Sequence, residues 1–96
     1  MEKIPYDQFI DTLASARLKV TPGTHWRHYQ GSEYIIKDIV LLEATIEVAV
    51  VYMPVGQPEI AFVRPLTSWF ERVTAPGQSV PRFSKVVETA SVTPVV

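Results

Sequence analysis

The sequence predicts a mainly β protein, a small antiparallel β-barrel of about five strands preceded by one amphipathic α-helix. Two observations carry this prediction. Apolar side chains near the N-terminus recur with the period of a helix, whereas the chain after Gly23 consists of short runs of valine, isoleucine and aromatic residues separated by turn residues. Because 96 residues suit one hydrophobic core, we expect a single domain with the helix at about 5–18, the barrel at about 24–87 and a tail at 88–96.

The N-terminal helix is predicted from the spacing of its apolar residues. Tyr6, Phe9, Ile10 and Leu13 stand at i, i+3, i+4 and i+7, and Ala16 continues the pattern. Pro5 suits the first turn of a helix, and Thr21-Pro22-Gly23 ends the pattern. A helix this short is marginal alone, so its apolar face must pack on its own barrel or on a partner.

The predicted strands have the β-branched and aromatic composition typical of sheets. They are His25–Tyr29, Glu33–Leu42, Thr45–Met53, Ile60–Arg64 and a last strand near Phe83–Val87. Leu66–Phe70 is predicted as a single helical turn. Closure of five short strands into a barrel would remove exposed strand edges. The tail Glu88–Val96 is expected to be loose or to add as an edge strand.

Composition excludes several classes of protein. The chain has no cysteine, which rules out disulfides, thiolate metal sites and cysteine nucleophiles. A net charge of −1 makes nucleic acid unlikely as a ligand of the whole surface. Neither a secretory signal nor an apolar run long enough for a membrane span occurs. We therefore expect a cytoplasmic protein.

Several segments are more particular than strand formation requires, and together they resemble a bacterial family of unknown function, DUF1653, over about residues 24–83. The segments are Trp26-Arg27-His28-Tyr29-Gln30-Gly31, Val50-Val51-Tyr52, Phe62-Val63-Arg64-Pro65-Leu66 and Val80-Pro81-Arg82-Phe83. The resemblance implies a barrel of the SH3-like type and no known activity. This chain departs from the family pattern at Leu42-Glu43-Ala44-Thr45, where the family carries His-Ser-Glu-Thr, and at Phe62, where it carries tryptophan.

Cations and aromatic residues within these segments form the candidate binding face: Trp26, Arg27, His28, Tyr29, Arg64 and Arg82. Three arginines could meet around one anion, since their planar donor groups match carboxylates and phosphates. They could equally tie loops to backbone carbonyls or to carboxylates such as Glu33 and Glu71, and the aromatic residues could be core.

Three functions follow from the sequence. The first is a non-catalytic binding module for a peptide or a polyanion. The second is a structural or assembly domain that self-associates or packs on a partner protein through its N-terminal helix. The third is an enzyme that uses His28, although no nucleophile elbow, phosphate loop or dinucleotide fingerprint occurs. We predict no catalytic residues and no cofactor, because no mechanistic set of residues occurs. We predict no metal, because His25 and His28 fall on opposite faces of a strand.

Overall fold

A computed structural model describes residues 4–87 of the chain. These residues form a mainly β protein with one long N-terminal helix, which confirms the predicted class. The elements in chain order are α1 (Tyr6–Lys19), β1 (His25–His28), β2 (Glu33–Leu42), β3 (Glu47–Pro54), β4 (Phe62–Pro65), α2 (Leu66–Trp69), β5 (Arg72–Ala75), β6 (Gln78–Pro81) and β7 (Phe83–Lys85). Neither helix has the length and hydrophobicity that crossing a bilayer requires.

Five of the strands form one antiparallel sheet in the order β4-β3-β2-β1-β7. The predicted sheet of five antiparallel strands is confirmed. Closure into a barrel is not confirmed, because over residues 4–87 β4 and β7 each pair on one side alone. β5 and β6 form a separate two-stranded hairpin.

The sheet is strongly curled, although it is not closed by hydrogen bonds. Arg64 lies on the edge strand β4 and Phe83 on the opposite edge strand β7, yet the Arg64 guanidinium carbon is 5.6 Å from the centre of the Phe83 ring. In a flat sheet the two edges would be roughly 19 Å apart, four strand spacings. A bulge in β2 between Ile36 and Asp38 contributes to the bend, since bulges increase local twist.

Trp69 occupies the centre of the concave side of the sheet and is fully buried. Its ring stacks on Phe83 with 3.8 Å between centroids and 3° between planes. Trp26 and Tyr52 meet it edge-on at 5.5 and 5.0 Å. One short helix, α2, therefore supplies the side chain around which three strands of the sheet pack.

Helix α1 docks on the same core. Ala16 and the following Val20 are buried in it, and Leu13 packs against it. The predicted apolar face was partly wrong, because Tyr6 and Ile10 are exposed. The docked stripe runs through Leu13, Ala16 and Val20 at i, i+3 and i+7, so the buried contacts of α1 lie toward its C-terminal end.

Most predicted strands begin or end within two residues of the observed ones, but the β5–β6 hairpin was missed. Its turn, Ala75-Pro76-Gly77-Gln78, has glycine at the third position with φ of 83°, a conformation that glycine adopts without strain. The Pro76-Gly77 pair was thus the sequence signal from which this hairpin could have been predicted. The tail Glu88–Val96 lies outside the described residues.

Replacement of the central tryptophan tests its importance. We expect Trp69→Ala to lower the free energy of unfolding by about 3–5 kcal/mol, because it empties the middle of the core. Trp69→Phe should cost much less, since it keeps a ring over Phe83 and removes an indole N–H that has no acceptor within residues 4–87. Urea unfolding followed by far-UV circular dichroism measures both.

The matched control for this experiment is Phe70→Ala, because the neighbouring ring is 47% exposed. Its effect should stay below about 1 kcal/mol. Equal losses for Trp69→Ala and Phe70→Ala would show that α2 does not organise the core.

Candidate functional site

Two cationic or titratable side chains adjoin the Phe83 ring and a third precedes it in the chain, and we call the three the arginine–histidine cluster: His28, Arg64 and Arg82. His28 is paired with Phe83 across β1 and β7, and its ring meets the Phe83 ring edge-on at 5.1 Å. Arg64 reaches the same ring from β4. Arg82 immediately precedes Phe83 in the chain. Curling of the sheet brings together residues from three separate segments.

Arg64 is the member of the cluster whose charge is least compensated. It is half-buried, and its hydrogen bonds go to neutral oxygens, Ser68 Oγ at 2.9 Å and Tyr52 OH at 3.4 Å. No carboxylate of residues 4–87 lies within ion-pairing distance of it, whereas Arg17 and Arg27 each pair with one. A guanidinium removed from water without a counter-ion favours a nearby anion.

Arg82 has a partly structural role. Its Nη2 donates to Glu71 Oε1 at 2.9 Å, and its backbone N–H donates to the Glu71 carbonyl at 3.0 Å. Its own carbonyl accepts the N–H of Tyr29 at 2.9 Å, which ties β1 to the segment before β7. The Nε of Arg82 is buried and has no hydrogen-bond acceptor among the residues described.

His28 is held in one orientation with one nitrogen committed. Its Nδ1 accepts the backbone N–H of Gln30 at 3.2 Å, so the proton of the neutral ring belongs on Nε2. Partial burial, and then the charges of Arg64 and Arg82, lower the pKa of His28 below its usual value. The neutral imidazole thus keeps an N–H donor in a positive field.

The other predicted site residues lie elsewhere or border the cluster. Arg27 points to the opposite side of β1 and donates to Glu33 Oε2 at 2.7 Å, while His25 Nε2 lies 2.7 Å from the other oxygen. The hydrogen bond from Arg27 is the main cause that lowers the pKa of Glu33; desolvation opposes it, and His25 adds to the lowering. Trp26 is buried and donates from Nε1 to Thr24 Oγ1.

Tyr29 borders the cluster. It is 41% exposed, and its ring lies 4.6 Å from that of His28, tilted by 38°. Of the six predicted residues, the structure therefore brings His28, Arg64 and Arg82 together, with Tyr29 beside them. It places Trp26 in the core and Arg27 on the other face. Within residues 4–87 no cluster of histidine, aspartate and glutamate is suited to a metal ion.

Sequence reasoning missed an aromatic edge beside Arg64, which we define as Tyr34, Tyr52 and Phe62. The Phe62 ring lies 6.4 Å from Tyr34 and 5.6 Å from Tyr52, and it is 44% exposed. Phe62 precedes Arg64 by two residues on β4, so both side chains face the same way. That period of two was the signal that could have found this edge.

The charges of the arginine–histidine cluster determine how His28 is expected to titrate. We expect the pKa of His28 to lie below the ordinary value of about 6.5 and to rise toward it in Arg64→Gln, because that change removes a neighbouring positive charge. Protonation of His28 then destabilises the fold as the pH falls through about 6.5, and Arg64→Gln lessens this loss. NMR titration of the half-buried His28 imidazole measures its pKa directly.

Arg72→Gln is the matched control, because Arg72 is exposed and bonds Ser79 on the separate hairpin. An unchanged pKa of His28 in Arg64→Gln, or an equal change in Arg72→Gln, would contradict a shared site.

Similarity to known proteins identifies the family of the chain. The model of a protein family of unknown function, DUF1653, matches residues 24–85. A crystal structure of a protein of this family from Bordetella bronchiseptica is similar to the chain with a TM-score of 0.61 and 31% sequence identity, covering 80% of this chain and 97% of that one. No curated protein matches the chain. The chain carrying this cluster belongs to the DUF1653 family.

Proposed function

We propose that the protein is a small non-catalytic binding module whose arginine–histidine cluster takes an anionic group, a carboxylate or a phosphate, of its ligand. The observation that carries this proposal is Arg64, a half-buried guanidinium bonded to two hydroxyl groups and to no carboxylate among the described residues. His28 stands in the same field and holds the proton of its neutral ring on Nε2, where it is a donor. An anion would accept from both.

A purely structural role explains the cluster less well. Arg82 fits that role, because its ion pair and its backbone bonds link β1 to the chain before β7. Arg64 does not, since its two hydroxyl partners and the Phe83 ring carry no negative charge to offset a guanidinium held partly out of water. The charge is best accounted for by a ligand that supplies the missing anion.

An enzymatic role for His28 has less support than binding. A histidine with a lowered pKa could serve as a base near neutral pH. Its hydrogen bond, however, comes from the backbone N–H of Gln30 and not from a hydroxyl nucleophile. We therefore place His28 in the binding site as a donor.

We also propose a barrel type, a single domain and a cytoplasmic location for the protein. The curl of the sheet and the return of β7 to lie beside β1 support a partly open barrel of the SH3-like type. The shared core of α1 and the sheet supports one domain. The absence of cysteine supports a cytoplasmic protein.

Assembly through α1 is a second candidate function, favoured by one observation. The helix docks on its own sheet and still exposes Tyr6 and Ile10, preceded by Ile4. Self-association through this face predicts dimers by sedimentation velocity that Ile10→Lys disperses into monomers. A monomer at the highest soluble concentration would exclude assembly from copies of this chain.

Sulfate is the simplest probe of the binding proposal. We expect sodium sulfate to shift the amide resonances around the cluster and to raise the pKa of His28, because a bound anion offsets the two arginines. Arg64→Gln should abolish both effects, whereas Arg72→Gln should preserve them. Two-dimensional NMR titration measures them, with sodium chloride at equal ionic strength as the reference.

Identical shifts from sulfate and chloride, or undiminished sulfate binding by Arg64→Gln, would refute the anion site. Amide dispersion of each variant shows that it remains folded.

A further inference from the structure

The geometry points to a specific ligand, an extended segment of a partner protein that adds as an antiparallel strand beside β4 and carries an acidic residue two positions before an apolar one. This inference rests on the proposed function, because the acidic side chain is the anion that the arginine–histidine cluster receives. Its support comes from the edge strand itself, from the residues alternating along it and from the limited extent of positive charge.

β4 is an edge strand within the described part of the chain. It pairs with β3 on one side through Val50–Arg64 and Tyr52–Phe62, and no strand of residues 4–87 pairs on the other side. An edge of this kind offers unpaired N–H and C=O groups to a further strand. A further strand can therefore add beside β4 without rearrangement of the sheet.

Pro65 fixes which backbone groups of β4 face outward. Proline has no N–H, and in sheets its nitrogen is found on the open side of an edge strand. Pro65 pairs with Ala49 and lies two residues after Val63, so both have the same phase. The N–H and C=O of Val63 therefore point away from β3, where an antiparallel partner residue could exchange two hydrogen bonds with them.

The side chains of β4 alternate in a way that sets the ligand sequence. Phe62 and Arg64 face the concave side, and Val63 faces the convex side, where it is 53% exposed. Residues directly opposite on neighbouring strands share a face and are in contact. The partner residue opposite Arg64 should be acidic, and the one opposite Phe62 should be apolar.

Direction follows from the antiparallel pairing. Because β4 runs from Phe62 to Arg64, an antiparallel partner passes Arg64 first, Val63 second and Phe62 third. The recognised sequence is therefore acidic, any residue, apolar, written from the N-terminus. An apolar middle residue would also cover the exposed Val63 side chain.

The limited positive charge favours a peptide over a nucleic acid. The chain has a net charge of −1, and Arg82 within the cluster is already paired with Glu71. A phosphodiester chain needs a row of cations along its length. A single carboxylate needs one guanidinium, and Arg64 supplies one that pairs with no carboxylate of residues 4–87. The exposed Phe62 and Val63 provide apolar contact on either side of the strand.

The test uses the full chain and the peptide acetyl-Thr-Thr-Glu-Val-Phe-Thr-amide, followed by two-dimensional NMR and calorimetry. We expect saturable shifts centred on Val63, Arg64 and His28. Replacing Glu with Gln in the peptide should weaken binding about tenfold or more, since it removes a charge-assisted hydrogen bond. N-methylation of the peptide valine should abolish binding, since it removes the N–H that faces the Val63 carbonyl.

Two further probes test the predicted register and the choice of a protein ligand. A peptide of the same composition in the reverse order, acetyl-Thr-Phe-Val-Glu-Thr-Thr-amide, should bind at least about tenfold more weakly, and equal binding would overturn the predicted register. A short oligothymidylate that binds more tightly than the peptide would overturn the choice of a protein ligand.

The sulfate titration separates this inference from the proposed function. If sulfate raises the pKa of His28 and the peptide produces no shifts, strand addition is wrong and the anion site stands. If neither probe produces a response, both are wrong. Undiminished binding of the N-methylated peptide would contradict strand addition alone.

Discussion

The stacking of Trp69 on Phe83 is the contact on which the rest of the structure depends. The two rings lie 3.8 Å apart and join α2 to β7, the last strand of the sheet. Trp69 also contacts Trp26 of β1 and Tyr52 of β3. One side chain therefore contacts three strands, β1, β3 and β7, and holds them closer together than a flat sheet would. The curl of the sheet follows from filling its concave side with this single large residue.

The position of the arginine–histidine cluster is a consequence of that curl. Phe83 presents one face to Trp69, and Arg64 and His28 lie against the same ring from β4 and β1. The ring thus separates the apolar core from the cationic group and gives the Arg64 guanidinium an aromatic neighbour, which lessens the cost of holding a charge there. The core and the proposed anion site share one residue, so variants of Phe83 would disturb both.

Sequence patterns predicted the sheet better than they predicted the site. The run of β-branched and apolar residues and the turn residues before it located β2 to the residue, because that composition is typical of strands. The motif Trp26-Arg27-His28-Tyr29 grouped Arg27 with His28 in the predicted site. Neighbouring residues on a strand face opposite ways, however, and Glu33 holds Arg27 on the other face. The meeting of Arg64 with His28 depends on the curl, and the curl depends on Trp69, a contact between distant segments that no local pattern contains.

The family departure at Leu42-Glu43-Ala44-Thr45 can now be placed relative to the cluster. These residues connect β2 to β3, and Leu42 pairs with Glu47, whereas Tyr34 pairs with Pro54 at the other end of the same two strands. At about 3.3 Å per residue, roughly 25 Å of strand separates this turn from the aromatic edge that adjoins Arg64. A histidine in the turn of other family members would therefore serve a different place on the surface. The proposed anion site therefore uses no residue of this turn.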